Sequence, residues 1–171
     1  MIRIVPSRPS RLAEFREFWD AAVAYQTRHG VARWPVFPES IITAEIGAAR
    51  HFMALRDDEV CAGFFSVTPS DKGIWKERDR NDAIYIHRTC VNPRARGGSL
   101  AADVLKWAYG YAAGCGRGFV RMDTWGDNDR LIDYYKACGY QPAGFQHIGN
   151  DPSLPAHYHG IRLALFENPV A

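Results

Sequence analysis

At 171 residues, with 47% hydrophobic and 23% charged side chains, the chain has the make-up of one globular domain spanning 1–171 with a sizeable core. A formal net charge of +2 supplies no broad basic field for nucleic acid or for a membrane surface. No run nears the ~18 apolar residues of a membrane span, Met1–Pro6 does not read as a secretion signal, and Cys61, Cys90, Cys115 and Cys138 are scattered without a C-x-x-C pair, so reduced thiols, a cytoplasmic location and no metal site are expected.

Ile2, Ile4 and Val5 read as a short first strand, stopped by Pro6 and Pro9. Ser10 is placed to cap a helix whose apolar stripe is Leu12, Phe15, Phe18, Trp19, Ala22 and Val23, with Gly30 ending it. A proline-interrupted loop over 31–38 carries Trp34 and Phe37, two aromatics expected to face outward, and a shorter helix follows through Ile41, Ile42, Ile46 and Ala49. Phe52–Leu55 and Val60–Val67 form a predicted hairpin around Asp57-Asp58. The charged connection 69–82, with Trp75 in its middle, is expected to be a flexible loop or hairpin tip.

Ile84–Val91 is the next predicted strand, and Leu100, Val104, Trp107, Ala108 and Tyr111 mark a helix. Between them lies Asn92-Pro93 and a turn with Arg94, Arg96, Gly97 and Gly98. A strand–tight loop–helix unit leaves backbone N–H groups unpaired at the positive end of the helix dipole, which suits a phosphate. The turn matches neither the P-loop nor the dinucleotide fingerprint, and a plain sharp turn is the alternative. Phe119–Thr124 then reads as a strand, Asp129–Cys138 as a helix stopped by Gly139, and 141–148 and 159–166 as two final strands. The order β-α-α-β-β-β-α-β-α-β-β gives an α/β (α+β) fold with a mixed sheet.

Two motifs in this order resemble the GCN5-related N-acetyltransferase (GNAT) family. Arg96–Ala101 resembles its acetyl-CoA signature Q/R-x-x-G-x-G/A, with Ser99 in place of the central glycine; reading from Arg94 gives R-x-x-G-x-S instead. Asn128, Leu131, Tyr135, Gly139 and Tyr140 are similar to N-x-x-A-x-x-x-Y-x-x-x-G-F, with Leu for Ala and Tyr for Phe. The resemblance implies a mixed, mostly antiparallel sheet of about seven strands with about four helices, splayed between strands 4 and 5.

It also implies transfer of an acetyl group from acetyl-CoA to a primary amine by direct attack. The amides of Arg96, Gly97, Gly98, Ser99, Leu100 and Ala101 would hold the pyrophosphate, and a backbone N–H near Cys90 or Val91 would polarise the thioester carbonyl. Tyr135 would be the general acid for the thiolate, with Asn128 orienting the pantetheine arm or a water; by periodicity alone Tyr135 could equally be a core residue. His87 and Asp123 are the candidate bases, each with a structural alternative: His87 as a bonded strand residue, Asp123 as a partner for Arg88 or Arg121. His147, His157 and His159 give only a faint metal signal. Trp34, Phe37, Trp125 and Tyr158, with His87, are the expected acceptor lining, or the aromatics form a homodimer interface. A small amine is the leading acceptor. A protein, peptide or aminoacyl-tRNA acceptor and a non-catalytic acyl-CoA-binding module are the alternatives.

Overall fold

The computed structural model describes residues 2–31, 34–95, 98–152 and 154–170. The elements run β1 (Ile2–Pro6), α1 (Leu12–Arg28), α2 (Glu39–Gly47), β2 (His51–Arg56), β3 (Cys61–Thr68), α3 (Lys72–Trp75), β4 (Ala83–Val91), α4 (Leu100–Gly114), β5 (Phe119–Trp125), α5 (Asp129–Ala137), β6 (Pro142–His147) and β7 (Arg162–Pro169). The strands hydrogen-bond in the order β1-β2-β3-β4-β5-β7-β6, and the β4–β5 pair is parallel. By contacts the chain divides into two compact units, residues 1–67 with 88–100, and residues 68–87 with 101–171. No helix among the described residues is long and apolar enough to cross a membrane.

In the first unit the stripe of α1 buries Phe15, Phe18 and Trp19 with Ile42 of α2 and Met53, Leu55 and Phe64 of the β2–β3 hairpin. Ser10 does not cap α1: it sits inside a 3-10 turn, Pro9–Arg11, where proline favours a tight first turn, and the cap position passes to Arg11 without a side-chain bond. Phe37 is also corrected. It is buried, edge-on to Trp19 at 6.0 Å, while Trp34 stacks on Trp19 at 4.3 Å. The Trp19 indole N–H donates to the Pro35 carbonyl at 2.9 Å, which folds this proline loop back onto α1.

One histidine belongs to this core. His51 lies between Phe15 and Phe64, ring centroids 4.9 and 5.1 Å away, and its Nδ1 is 2.7 Å from Ser7 Oγ. Burial first, and Arg88 second, push its pKa down to about 4. Buried Glu45 accepts from Ser66 Oγ at 2.5 Å and pairs with Arg88. Gly63 permits a close crossing: a Cβ there would lie 2.3 Å from the Cys90 carbonyl oxygen and 2.4 Å from Leu100 Cδ2.

In the second unit, β5 pairs antiparallel with β7 from Phe119↔Pro169 to Trp125↔Leu163. Alternation gives this sheet two distinct faces. On one, Phe166 meets Tyr135 and Tyr140, whose hydroxyl donates to the Ala101 carbonyl at 3.1 Å. On the other, the segment expected to be flexible is instead folded: α3 buries Ile74 and Trp75 against Tyr85 and Leu165. Its anchor is Arg121, 4% exposed, which donates to Glu167 (2.7 Å), Asp82 (2.9 Å), Tyr85 Oη (2.9 Å) and the Arg78 carbonyl (2.8 Å). A guanidinium so deeply buried is stable only with its donors filled this way.

Candidate active site

The β4–β5 ladder ends in a defined place. Its Cα register runs from Ala83↔Phe119 to Ile86↔Met122, and the next residue on each strand is His87 and Asp123. Both therefore leave the sheet on the Tyr85 and Arg121 face. The residue after His87, Arg88, has φ of 54°, uncommon for a residue with a Cβ, and there β4 loses its alternation.

Three donor groups converge at this ladder end. A carboxylate oxygen of Asp71, a ring nitrogen of His87 and a carboxylate oxygen of Asp123 all lie within 4.8 Å of one another. His87 Nε2 is 3.1 Å from Thr68 Oγ1 and 3.6 Å from Asp71 Oδ2, and the His87 and Asp71 side chains are only 13% and 12% exposed. The structural partners weighed for Asp123 in sequence are used otherwise: Arg121 takes Asp82 and Glu167, and Arg88 takes Glu45. Trp125, two residues beyond Asp123 on the same face, has its ring 6.4 Å from Tyr158. So His87, Asp123, Trp125 and Tyr158 share one unit and one sheet face, whereas Trp34 and Phe37 belong to the core of the other unit.

Asp71 was missed because it sat in a polar connection with no periodicity to mark it. The turn that carries it is built by Asp79, whose carboxylate accepts from Ser70 Oγ at 2.6 Å and from the Asp71 N–H at 2.8 Å. Burial alone would raise the Asp79 carboxyl, but these bonds outweigh it and hold the pKa below the usual value. The late histidines serve the β6–β7 loop. His159 Nε2 meets the carbonyls of Asp151 and Leu154 at 2.9 and 3.2 Å, and burial lowers the pKa of His157.

Tyr135 lies on the opposite face of the same sheet. Its ring packs 5.4 Å from Tyr140 and 5.8 Å from Phe166, and Phe166 is opposite Met122 where Leu165 is opposite Asp123. Burial, with smaller contributions from Tyr134, Cys138 and Asp123, raises its pKa well above the ordinary phenol, so it carries its proton at neutral pH. Asn128 caps α5, its Oδ1 accepting from the Leu131 N–H at 3.1 Å. The Tyr134 phenol is pushed up to about 12 by burial and then by Cys138, while a bond from the Ala101 amide acts the other way.

In the first unit, Cys90 is buried and burial raises its thiol far above the ordinary value, so its side chain is an inert core group, while Val91 is 41% exposed. Asn92, a second residue that sequence treated only as part of a turn, holds the following loop. Its Nδ2 donates to the Cys61 carbonyl and its Oδ1 accepts from the Arg94 N–H, both at 2.8 Å. The Arg94 guanidinium pairs with Glu17 rather than adding its charge to the turn. Arg96 and Gly97 lie outside the described residues; Gly98 and Ser99 are exposed, and Leu100 and Ala101 are buried at the start of the 15-residue helix α4.

The one parallel pair of this mixed sheet ends early, with Tyr135 on one face and the Asp71, His87 and Asp123 side chains on the other. Residues 13–140 match the acetyltransferase (GNAT) family, and the chain belongs to that family, whose members use acetyl-CoA. An uncharacterized N-acetyltransferase, YesJ, of Bacillus subtilis (strain 168) is 31% identical over 106 residues, which is 60% of this chain and 59% of YesJ. A GNAT family acetyltransferase of Listeria monocytogenes 4b F2365 superposes with a TM-score of 0.75 at 17% identity, over 98% of this chain and 94% of its own. A phosphinothricin acetyltransferase of Sinorhizobium meliloti, solved in complex with acetyl-CoA, superposes at 0.67 with 13% identity, over 99% and 89%.

Proposed function

We propose that this chain is a cytoplasmic, acetyl-CoA-dependent N-acetyltransferase that acetylates a primary amine of a small molecule by direct attack. The observation that carries the reading is the end of the β4–β5 ladder. His87 and Asp123 are the first residues beyond it on one sheet face, and Tyr135 packs on the other. Direct attack calls for a proton acceptor and a proton donor, since the amine loses a proton as the thiolate gains one. The four unpaired cysteines accord with a reducing compartment.

Acetyl-CoA, when bound, supplies an activated acetyl thioester. The residues fit its two polar demands. Exposed Gly98 and Ser99 precede a helix long enough to present its N-terminal amides, Leu100 and Ala101 among them, to a pyrophosphate, and the family's signature motif adds Arg96 and Gly97. The backbone at Cys90–Val91 is fixed by the Gly63 crossing, so an N–H there would meet a carbonyl oxygen with little reorganisation. The acceptor arrives as an ammonium, attracted by Asp71 and Asp123, and gives one proton to His87. Its nitrogen then forms the C–N bond as the C–S bond breaks. Tyr135 protonates the departing sulfur and regains a proton from the new amide nitrogen, and His87 returns its proton to solvent. Trp125 and Tyr158 offer an aromatic wall to the cation.

The test begins with thermal-shift titration against acetyl-CoA and CoA. At 100 times Kd, binding adds about 2.7 kcal/mol, a rise of roughly 5–11 °C for a domain of this size. A panel of small amines and peptides is then read by release of free thiol and by mass spectrometry. Thiol release with small amines supports the proposal. Release with peptides alone moves the acceptor class to protein, and cofactor binding without release from any acceptor leaves a binding module.

A further inference from the structure

His87 is held by a hydrogen-bond chain that fixes which of its nitrogens is basic. The Thr68 hydroxyl has a single hydrogen, and it is donated to the Ser70 carbonyl at 3.1 Å. Toward His87 Nε2, also at 3.1 Å, Thr68 Oγ1 can therefore only accept. With the Thr68 hydrogen on that carbonyl, Nε2 carries the ring hydrogen and the lone pair of the neutral ring is on Nδ1. The carboxylate of Asp71, 3.6 Å from the same Nε2, reinforces this tautomer and is a counter-charge for the imidazolium.

Asp71 is itself placed by a second tier. Asp79 grips the Ser70 hydroxyl and the Asp71 N–H, and Ile74 and Trp75 bury the next turn of chain. Among the described residues, the charged and polar groups near the imidazole include Thr68 of β3, Asp71 of the turn before α3, and Asp123 of β5. Arg88, next along β4, directs its guanidinium to Glu45 instead.

We propose that Asp71 is a positioning residue for proton acceptance: with Thr68 it holds His87 as the Nε2–H tautomer, so that the acceptor's proton is taken at Nδ1. The inference rests on the acetyltransferase reading for its purpose but not for its test. In the proton step the N–H bond of the acceptor ammonium breaks and a bond to Nδ1 forms, giving an imidazolium whose Nε2–H already points at Asp71 and Thr68.

The experiment is a nitrogen-15 NMR titration of histidine-labelled, full-length protein between about pH 5 and 8, with His87 assigned by the signal missing in His87→Gln. The expected wild-type spectrum shows His87 as Nε2–H at high pH. A dominant Nδ1–H tautomer overturns the proposal, and this result needs no variant to fold. In Asp71→Asn the imidazole pKa should fall by about one unit, because a nearby opposite charge has been removed. A pKa unmoved by that substitution in a folded variant also overturns it. With whichever amine releases thiol fastest, the acidic limb of kcat/KM should move to lower pH by the same amount. If no amine or peptide releases thiol, the acetyltransferase reading falls, while the spectrum still decides the role of Asp71.

Discussion

His51 should make the protein acid-sensitive well above the range where carboxylates protonate. The imidazole is fully buried between Phe15 and Phe64, and its Nε2 has no hydrogen-bond partner among the described residues. Protonation would place a charge and an unmatched N–H in an apolar pocket, which is why the folded pKa drops from 6.5 to about 4. The unfolded chain therefore binds more protons than the folded one below the ordinary histidine pKa. Stability is full above about pH 6.5 and is lost as the pH falls toward the folded value. Linkage gives a loss of about 1.4 kcal/mol between pH 8 and pH 5.5, and about 2.6 kcal/mol by pH 4.5. Urea unfolding at a series of pH values measures it, with His51→Met as the reference because it fills similar space and cannot titrate. The variant should be weaker at pH 8, having lost the Ser7 bond, yet flatter across this range. A wild-type curve flat to within about 0.5 kcal/mol from pH 8 to 5.5, or a variant with the same slope, would refute the reasoning.

Tyr135→Phe should lower turnover about 10²-fold with acetyl-CoA binding nearly unchanged, as steady-state kinetics beside a thermal-shift titration will show; equal turnover would remove Tyr135 as the acid. Gly63→Ala cannot be absorbed by a flexible side chain, because the new Cβ meets the Cys90 carbonyl oxygen at 2.3 Å. It should cost about 2–3 kcal/mol in urea unfolding and weaken acetyl-CoA binding by displacing Cys90–Val91. Asn92→Ala strands the buried Cys61 carbonyl and unties the Arg94 amide, with an expected loss of about 2 kcal/mol and a weaker acetyl-CoA thermal shift. Arg121→Met takes the cation from Asp82 and leaves Glu167 with Arg78 alone, 3.6 Å away, and should destabilise by about 3 kcal/mol in calorimetry or denaturant titration.

The regular elements were readable because local pattern and tertiary role agree in them. The α5 helix begins one residue after Asn128 and stops before Gly139, whose φ of 97° is the left-handed cap its position implied. The strands around His87 and Asp123 were equally plain, and those two residues do converge. What sequence could not supply was the third member of their cluster. Asp71 arrives there because α3, only four residues long and without periodicity, is pinned by buried Trp75 and by Arg121, a residue in a strand 46 positions further on. Phe37 failed for the opposite reason. A proline-rich loop suggests exposure, but Trp19 gave its ring a partner and its loop a hydrogen-bond anchor. The last strand begins at Arg162 rather than His159, because Ala156–Tyr158 forms a 3-10 turn and His159 ties the loop carbonyls.

The left-handed turn at Arg88 makes β4 a sorting device. Neighbouring residues on a strand normally diverge to opposite faces of one layer, yet here His87 joins Asp71 and Thr68 while Arg88 joins Glu45 and Ser66. A complete substitution scan along β4 should therefore find positions 83–86, buried on both faces, uniformly intolerant, and half-buried His87 and Arg88 each sensitive to its own partners. Deleting one residue upstream of His87 would move Arg88 into its place, delivering a guanidinium beside Asp71 and Asp123, while inserting one there would move His87 into the place of Arg88, beside the Glu45 carboxylate. Length, as much as residue identity, is thus under constraint in this strand.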